Sequence, residues 1–409
     1  MSRKIFLIIL SAVLGLALGG LLGYAALMEH QQNLPPEETY LPYPSETTVP
    51  TTEVPTTAAP TTETPATVPT TVAPTTEAPT TVPPTEAPTE APTEPPETEP
   101  HPERFLLSFV GDCTLGSPPD SYGVKYSFID TIGEDYSYPF ANVRQYFEAD
   151  DFTFANLECV FTDEKLYSSA YFSFRGPTAY TEILTGSSVE AVTLANNHTG
   201  DFHEKGLTHT RDALESAGLT YVEKDASAIH VTKSGLTIGL YAVNFTLDEA
   251  DLKEEIKQLR ENGAEVVIVA FHWGSEGAYR PGAMQTLNAQ KAIDAGANIV
   301  YGSHPHVLQK IEEYNGGIIY YSLGNFSFGG NNFPRDMDSA ILQQEVIREV
   351  DGTIRLGELS MIPVSISSME KQNNFQPTPY EEGSEEYLRT VSKLDGTFTG
   401  PNLHVEYDK

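Results

Sequence analysis

The segment His304-Pro305-His306 places two imidazole rings in one tight loop. The four residues before it, 298–301, predict a short buried strand, and Gly302 and Pro305 then favour a loop. Ligands of open α/β sheets bind at the carboxyl ends of strands, so both rings could face one site. Two surface histidines on a turn would give the same motif. The motif alone therefore leaves both interpretations open.

Four other predicted strands also end in side chains that could bind a metal or move a proton. Strands 105–110, 152–157, 191–195 and 266–271 are followed by Asp112, by Glu158, by Asn197 with His198, and by His272. A single such residue is commonly a cap or turn residue, but packing gives no reason for five in succession. Oxygen and imidazole ligands without thiolates suit Zn²⁺, Mn²⁺ or Fe, and a carboxylate can bridge two ions.

The elements between these strand ends predict an α/β fold. Helical patterns at residues 204–217, 248–262 and 283–295 alternate with strands over short connections, which indicates a mostly parallel sheet. Mainly antiparallel strands are predicted at the C-terminal end of the domain, over residues 318–322, 340–350 and 353–363. The acidic tail, residues 373–409, is predicted to be irregular. The folded domain is expected to span residues 104–372.

Residues 1–29 have the composition of a membrane segment. An almost unbroken apolar run of about 24 residues follows Arg3 and Lys4, and at 1.5 Å per residue it spans a hydrocarbon core of about 30 Å. An uncleaved anchor with a cytoplasmic N-terminus and an extracellular domain is the favoured interpretation. A signal peptide cleaved near Gly23-Tyr24-Ala25 is the alternative.

Residues 30–103 repeat Thr, Pro and Glu with scarcely an apolar cluster, which predicts a disordered stalk. The chain carries a net charge of −33; the stalk holds twelve Glu with no Lys or Arg and residues 1–29 carry +1, which leaves −22 on residues 104–409. This charge excludes nucleic acid as a partner. A polyanionic substrate would require metal ions or local cations to invert the field at the site.

Cys113 and Cys159, the two cysteines of the chain, directly follow Asp112 and Glu158. Because side chains alternate along a strand, two acids that face one site would put both cysteines on the opposite face. An extracellular location permits a disulfide there, and two buried free thiols are the alternative.

The strand-end motifs, taken together, resemble those of the CapA poly-γ-glutamate capsule synthesis family, which belongs to the calcineurin-like metallophosphatase superfamily. The resemblance extends over residues 105–328 and rests on Gly111-Asp112, Asn156-Leu157-Glu158, Leu194-Ala195-Asn196-Asn197-His198 with Asp201, His272-Trp273-Gly274, Gly302-Ser303-His304-Pro305-His306 with Gln309, and Tyr321-Ser322-Leu323-Gly324-Asn325-Phe326. It implies a four-layer α/β/β/α sandwich with a two-metal site between the sheets.

The resemblance also implies a role for each residue. Asp112 and His306 would bind one metal, Glu158 would bridge, and the second metal would be held by Asn197, His272 and His304. His198 would be the general acid. Where the superfamily has Asp-x-His, this chain has Thr114 in place of the histidine. The first metal would therefore lack one imidazole ligand. After His-Trp-Gly the chain has Ser275-Glu276-Gly277 where the family tends to have Glu-Tyr.

Two arginines are candidates for substrate binding. Arg175 matches a family segment and could reach a phosphate or carboxylate, although a surface ion pair explains it equally well. Arg280 is the second candidate. Trp273 is expected to pack in the core, and Asn325 could orient a histidine that lies behind the metal ligands.

Three functions fit these observations. The first is an anchored CapA-like component of poly-γ-glutamate or related surface-polymer production, in a membrane polymer-synthesis complex, with an anionic chain bound at a metal site. The second is a secreted metal-dependent phosphoesterase acting on cell-wall or nucleotide phosphate esters. The third is a non-catalytic scaffold of the same fold.

Overall fold

Strand β1 (Glu103–Thr114) runs through the middle of the larger of two β-sheets. The computed structural model describes residues 101–168, 172–245 and 247–404. The predicted membrane segment and nearly all of the predicted stalk lie outside the described residues. Among the helices of the described part, none is long and apolar enough to cross a membrane.

The described residues contain sixteen strands and seven α-helices. After β1, the strands are β2 (Phe152–Leu157), β3 (Val160–Phe161), β4 (Arg175–Gly176), β5 (Ala191–Thr193), β6 (Thr220–Val222), β7 (Ala226–Val231), β8 (Thr237–Asn244), β9 (Val266–His272), β10 (Ile299–Ser303), β11 (Ile311–Tyr314), β12 (Gly317–Tyr320), β13 (Asn325–Phe328), β14 (Asp338–Arg348), β15 (Ile354–Ser365) and β16 (Thr378–Pro379). The helices are α1 (Phe128–Ile132), α2 (Arg144–Glu148), α3 (Thr181–Thr185), α4 (His203–Ser216), α5 (Glu249–Glu261), α6 (Ala283–Asp294) and α7 (Glu385–Leu394).

The larger sheet has the order β16-β15-β14-β1-β2-β5-β6, and β13 pairs with the end of β1. Its half from β1 to β6 is parallel, whereas β14, β15 and β16 are antiparallel. The smaller sheet has the order β11-β12-β10-β9-β8-β7, and its four central strands, β12, β10, β9 and β8, are parallel. The α/β class is confirmed, and so is the antiparallel pairing of β14 with β15. The antiparallel prediction holds for β12 on one side only, because β12 lies antiparallel to β11 and parallel to β10.

The two sheets pack face to face over an apolar core. Aromatic rings fill it: Phe109 of β1 lies 5.3 Å from Tyr320, and Phe154 of β2 lies 5.0 Å from Tyr301, measured between ring centroids. The outer face of the larger sheet packs against α1 to α4, and that of the smaller sheet packs against α5 and α6. The described residues thus form helix, sheet, sheet and helix layers, as the family resemblance implied.

Helix α5 illustrates how the outer layers form. Asp248 caps it by accepting a hydrogen bond from the backbone amide of Ala250 at 2.8 Å. Leu252, Ile256 and Leu259 recur at the spacing of one helix face and are buried on the smaller sheet. The remaining residues of α5 are mostly charged and face water.

A β-bulge in β1 decides which way Asp112 faces. Phe109 pairs with Phe154 and Asp112 with Asn156, so β1 has one residue more than β2 between these points. The extra residue places Asp112 on the side of the smaller sheet instead of the outer side. Gly111 is required there because a Cβ atom would lie 2.1 Å from the carbonyl oxygen of Gly324.

Cys113 and Cys159 point into the outer layer, opposite the two acids, as the alternation predicted. Both are buried free thiols, so the structure has the free-thiol alternative and not the disulfide. Burial raises the pKa of both thiols. They are therefore protonated packing residues of the layer behind the site.

The tail, predicted to be irregular, forms β16 and α7, so that prediction is wrong for residues 378–379 and 385–394. Ser384 caps α7 by accepting a hydrogen bond from the amide of Tyr387, and Leu394 is buried in the core between the sheets. Lys393 is also buried, and its ammonium group lies 2.6 Å from Asp336 and 2.7 Å from Asp338. The acidic composition concealed this helix because its decisive contacts are with residues distant in sequence.

We expect Lys393→Met to lower the free energy of unfolding by about 3 kcal/mol, because it leaves two acidic groups without their buried partner. The neighbours of Asp338 hold its pKa below the ordinary value: burial opposes this, but hydrogen bonds from Arg389 and the charge of Lys393 prevail. The ion-pair contribution is therefore present at neutral pH and is lost only in acid. Urea unfolding measures the change. The exposed Lys371→Met is the control, and equal effects of the two changes would contradict the prediction.

Candidate functional site

The carboxyl ends of strands from both sheets meet at one place. β1 and β2 bring Asp112 and Glu158, while β9 and β10 bring His272, His304 and His306. In two overlapping groups, Asp112-Glu158-His306 and Glu158-His272-His304, the ligand-type atoms lie within 4.8 Å of one another. The structure thus brings together five of the six predicted metal ligands, with Glu158 common to both groups.

Asp112 and His306 form the first group with Glu158. The Nδ1 atom of His306 lies 3.3 Å from Oδ2 of Asp112 and 3.8 Å from Oε2 of Glu158. Asn156 donates a hydrogen bond to Oδ1 of Asp112 at 2.8 Å, and Asn325 lies 2.9 Å from Nδ1 of His306 through its Oδ1. Asn325 thus contacts a histidine that was itself predicted to bind a metal, and not one that lies behind the ligands.

His272 and His304 form the second group with Glu158. The Nε2 atom of His272 lies 3.5 Å from Oε1 of Glu158 and 2.6 Å from Oδ1 of Asn197. Asn197, the sixth predicted ligand, therefore joins this group through His272. The rings of His272 and His304 lie 4.7 Å apart.

Hydrogen bonds indicate the tautomer of His272. Ser303 donates its hydroxyl proton to the carbonyl oxygen of Phe271 at 3.2 Å, and its oxygen lies 2.9 Å from Nδ1 of His272. The Ser303 oxygen must then accept a hydrogen bond from Nδ1–H, which leaves a lone pair on Nε2. This lone pair faces the oxygens of Asn197 and Glu158. Three electron-pair donors thus converge where a cation would satisfy all of them.

Several buried polar atoms of the cluster make no hydrogen bond within the described residues: both carboxylate oxygens of Glu158, Nδ1 of His304 and Oγ1 of Thr114. Glu158 is 1% exposed. A buried carboxylate without hydrogen bonds costs several kcal/mol unless an opposite charge compensates it. The donor set of carboxylates and imidazoles is one that divalent metals bind, so the residues fit a metal ion.

The electrostatics of the cluster favour positive charge beside Glu158. Burial raises the pKa of Glu158 to about 8, although the charge of His306 opposes the change. Burial disfavours protonation of His306, but Glu158 and Asp112 outweigh it and raise the pKa of His306 to about 10. Burial and then His306 lower the pKa of His304 to about 4, and burial holds the pKa of His272 well below its ordinary value. Neutral imidazoles are the form that binds metals.

The His304-Pro305-His306 loop has a strained backbone. His304 has φ of 96° and His306 has φ of 55°, which are conformations that favour glycine. Gly302 packs against β12, where a Cβ atom would lie 2.1 Å from the carbonyl oxygen of Tyr321. The two ring centroids lie 6.0 Å apart, and each of the two groups that contain Glu158 includes one of the two rings.

His198 lies beside the cluster and is held by Asp201. Its Nδ1 lies 2.9 Å from Oδ2 of Asp201, and its ring packs on Phe174 at 4.7 Å. Burial opposes protonation, but the hydrogen bond to Asp201 and the charge of Glu158 raise the pKa of His198. The role of His198 as general acid stays a prediction.

The two predicted substrate arginines are engaged elsewhere. Arg175 is buried, stacks on the ring of Tyr122 at 4.6 Å and donates to the carbonyl oxygen of Glu164. Arg280 is exposed and donates to the carbonyl oxygen of Gly400 at 2.8 Å. Their contacts with substrate stay predictions. Trp273 packs in the core as expected, stacked on Phe271.

Sequence reasoning missed two residues of the site. Glu276 forms a third group of possible metal ligands with His304 and His306. Phe245, 49% exposed, presents its ring to His304 at 5.1 Å and to His272 at 5.9 Å. Glu276 stands four residues after His272 and could have been noted as another acid near a strand end. Nothing in the sequence singles out Phe245.

Comparisons with known proteins agree with the strand-end motifs. Residues 106–330, more than half of the chain, match the profile of the family described as bacterial capsule synthesis protein PGA_cap. The chain belongs to the PGA_cap family. The resemblance inferred from the motifs is thereby confirmed, and this PGA_cap domain contains every residue of the cluster.

Two relatives of this PGA_cap chain carry related names. The capsule biosynthesis protein CapA of Bacillus anthracis is 31% identical over an alignment of 272 positions, which covers 59% of this chain and 64% of that protein. The PGA biosynthesis protein CapA of Bacillus subtilis is 29% identical over an alignment of 316 positions, which covers 71% of this chain and 81% of that protein. The chain thus matches just under two-thirds of the B. anthracis protein's length.

One solved structure, the NAD nucleotidase of Haemophilus influenzae, matches 72% of this chain and 63% of its own at 11% identity, with a TM-score of 0.37. A similarity of this size carries no argument about the site.

We expect Glu158→Gln to preserve or raise the melting temperature of the PGA_cap chain in chelator, because a neutral amide removes a buried charge. The rise in melting temperature on adding Mn²⁺ should shrink, since ligand binding stabilises by about 2.7 kcal/mol at one hundred times the dissociation constant and the variant binds less. Thermal unfolding with and without metal measures both effects. Exposed Glu134→Gln is the control, and a full Mn²⁺ response in Glu158→Gln would refute the role of Glu158.

Ser303→Ala should weaken metal binding about 10- to 100-fold, because Ser303 orients His272 from behind. Isothermal titration of the chelator-treated chain with Zn²⁺ measures the affinity. Ser339→Ala removes a buried hydroxyl that makes no hydrogen bond in the described structure and should leave the affinity unchanged. Equal affinities of both variants would show that the Ser303–His272 contact is not needed.

Proposed function

We propose that this chain is a membrane-anchored, extracellular CapA-like protein that takes part in the biosynthesis of poly-γ-glutamate or a related surface polymer through a divalent-metal site. Membership of the PGA_cap family and the capsule and PGA names of its relatives support the polymer assignment. The apolar run in residues 1–29, with its preceding basic residues, supports the anchor and the orientation. A membrane polymer-synthesis complex is the proposed setting.

One observation supports the metal site above all: the buried Glu158 carboxylate, which makes no hydrogen bond in the described structure, belongs both to the group with His306 and to the group with His272 and His304. A purely structural role would require hydrogen bonds to both oxygens. The two neighbouring groups support two divalent ions, of which Mn²⁺, Zn²⁺ and Fe are the candidates. Glu158 would bridge them.

The charge of the chain supports an anionic substrate only if the site is positive. Residues 104–409 carry −22, which repels polyglutamate and phosphate esters alike. Bound divalent ions would invert the field, act as Lewis acids and lower the pKa of a bound water. The substrate anion would therefore bind at the cluster.

Hydrogen bonds from neighbouring residues fix the geometry of that site. Asn156 fixes the Asp112 carboxylate, Ser303 fixes His272, and Asn325 contacts Nδ1 of His306. These partners are buried or partly buried and belong to the sheets or their edges. The metal-binding side chains would therefore need little reorganisation when a metal ion binds. The geometry is thus organised before substrate arrives.

His198 is the residue proposed to hold a proton for a leaving group. Asp201 fixes its Nδ1, so the proton to be transferred would reside on Nε2. Phe174 packs on the ring and limits its rotation. The same residue would serve a polymer-processing reaction and a phosphoester hydrolysis.

A secreted metal-dependent phosphoesterase acting on cell-wall or nucleotide phosphate esters is the second candidate. The His198–Asp201 pair beside the metal ligands favours it over the third candidate, a non-catalytic scaffold, which would not need a positioned proton donor. Arg175 and Arg280 stay proposed substrate contacts, although each makes other contacts in the described structure.

His304→Ala should abolish metal-dependent function, because it removes a ligand whose Nδ1 is buried without a hydrogen bond in the described structure. The full-length chain, purified in detergent, is analysed for bound metal and assayed on a chromogenic phosphodiester and on polyglutamate. In cells lacking the gene, restored surface polymer is the readout of the first candidate. His209→Ala, on helix α4, is the matched histidine control.

Each outcome separates the candidates. Polymer restored by the wild type and His209→Ala but not by His304→Ala supports the proposal. Phosphodiester turnover without any polymer phenotype favours the second candidate. A wild-type chain without bound metal, together with full complementation by His304→Ala, would support the third candidate, the non-catalytic scaffold.

A further inference from the structure

The loop that follows β9 brings an acid to the cluster that the family motifs do not assign. Glu276, His304 and His306 offer ligand-type atoms that lie within 4.8 Å of one another. Glu276 is partly exposed, whereas Glu158 and His304 are buried. It therefore approaches the cluster from the solvent side, which the strand-end residues leave uncovered.

The first ligand group needs such a residue. Asp112, Glu158 and His306 offer three side chains, and Thr114 stands where the metallophosphatase pattern supplies a second imidazole. Thr114 is fully buried and its hydroxyl makes no hydrogen bond in the described structure. Divalent ions in proteins take four to six ligands, so one or more further donors are required.

The backbone around Glu276 is fixed from two sides. On one side, Gly277 donates a hydrogen bond to the carbonyl oxygen of Pro305 at 2.8 Å, which ties the loop directly to His304 and His306. On the other side, the C-terminal segment covers the loop: Leu403 donates to the carbonyl oxygen of Gly277 at 2.9 Å, and Tyr279 donates to Asn402 at 3.1 Å. A ligand residue requires this kind of fixed support.

The buried residue Gln309 fixes the same loop from beneath. Its amide donates to the carbonyl oxygen of Ala278 at 2.7 Å and accepts a hydrogen bond from Gln285 at 3.0 Å. Gln309 follows His306 by three residues, so the chain that carries the histidine also holds the Glu276 loop. The loop and the histidines are therefore positioned as one unit.

We propose that Glu276 is a ligand of the first metal position, in place of the imidazole missing at Thr114, and that it makes this position selective for a hard cation such as Mn²⁺. Glu276 would reach this position beside His306, with which it already shares a group of ligand-type atoms. The position would then have three carboxylates and one imidazole, whereas the second would have two imidazoles, an amide and the shared carboxylate. Carboxylate-rich sets suit Mn²⁺ or Mg²⁺, and imidazole-rich sets suit Zn²⁺ or Fe. This inference rests on the metal site of the proposed function.

The test uses the full-length chain, stripped with chelator and titrated with Zn²⁺ and Mn²⁺ together. Elemental analysis gives the amount of each metal bound, and electron paramagnetic resonance distinguishes bound from free Mn²⁺. We expect one equivalent of each. Glu276→Gln should retain Zn²⁺ and weaken Mn²⁺ binding more than about 100-fold, beyond the 10- to 100-fold that the loss of an outer contact typically costs. Exposed Glu313→Gln should match the wild type.

Glu276→His separates direct ligation from a long-range effect of charge. If Glu276 binds the ion, an imidazole at this place should shift the first position from Mn²⁺ to Zn²⁺ and give two Zn²⁺ per chain. If Glu276 acts only through its charge, the neutral imidazole should weaken Mn²⁺ without a gain in Zn²⁺, and the inference is wrong. Circular dichroism and thermal unfolding establish that both variants fold.

The remaining outcomes separate this inference from the proposed function. Wild-type binding of Mn²⁺ by Glu276→Gln would refute the role of Glu276 and leave the metal site intact. A wild-type chain that binds neither metal would overturn the proposed function and this inference with it.

Discussion

The structure depends on one buried charge, the Glu158 carboxylate at the carboxyl end of β2. It is 1% exposed, it makes no hydrogen bond with the described residues, and three histidines with Asp112 surround it. Such a group is costly to bury, so the protein has to supply positive charge at a fixed place beside it. The pKa values of Glu158 and His306 are both raised, and both shifts favour more positive charge at this place. A divalent ion meets it better than a proton because it can satisfy both carboxylate oxygens and the neighbouring imidazoles together.

The two sheets contribute different chemistry to this point. The larger sheet supplies oxygen ligands, Asp112 and Glu158, and the smaller sheet supplies the imidazoles of His272, His304 and His306. Neither sheet alone holds either of the two groups that contain Glu158, so these groups form only when the two sheets pack together. Phe109, Phe154, Tyr301 and Tyr320 fill that core. Their packing thus determines the separation of the ligands as well as stability.

Residues far apart in sequence complete the site. The C-terminal segment, predicted to be irregular, includes α7, and residues 400–404 bind the loop that carries Glu276. Lys393 holds α7 to Asp336 and Asp338. The sequence misled here because acidic, polar residues usually indicate a solvated tail, whereas these make specific ion pairs and hydrogen bonds. The parallel pairing of β12 with β10 escaped prediction for a related reason: strand direction depends on the partner, and the partner is not local.

The sequence by itself determined the α/β class, the strand ends that carry Asp112, Glu158, His198, His272, His304 and His306, and the family, because short-range periodicity and ordered motifs report these directly. It also determined that the cysteines face away from the acids, since alternation is local. Only the tertiary structure decided that the bulge at Gly111 turns Asp112 toward the smaller sheet, that Arg175 stacks on Tyr122, and that Glu276 reaches the cluster. Each of these depends on contacts between segments distant along the chain, which no local pattern encodes.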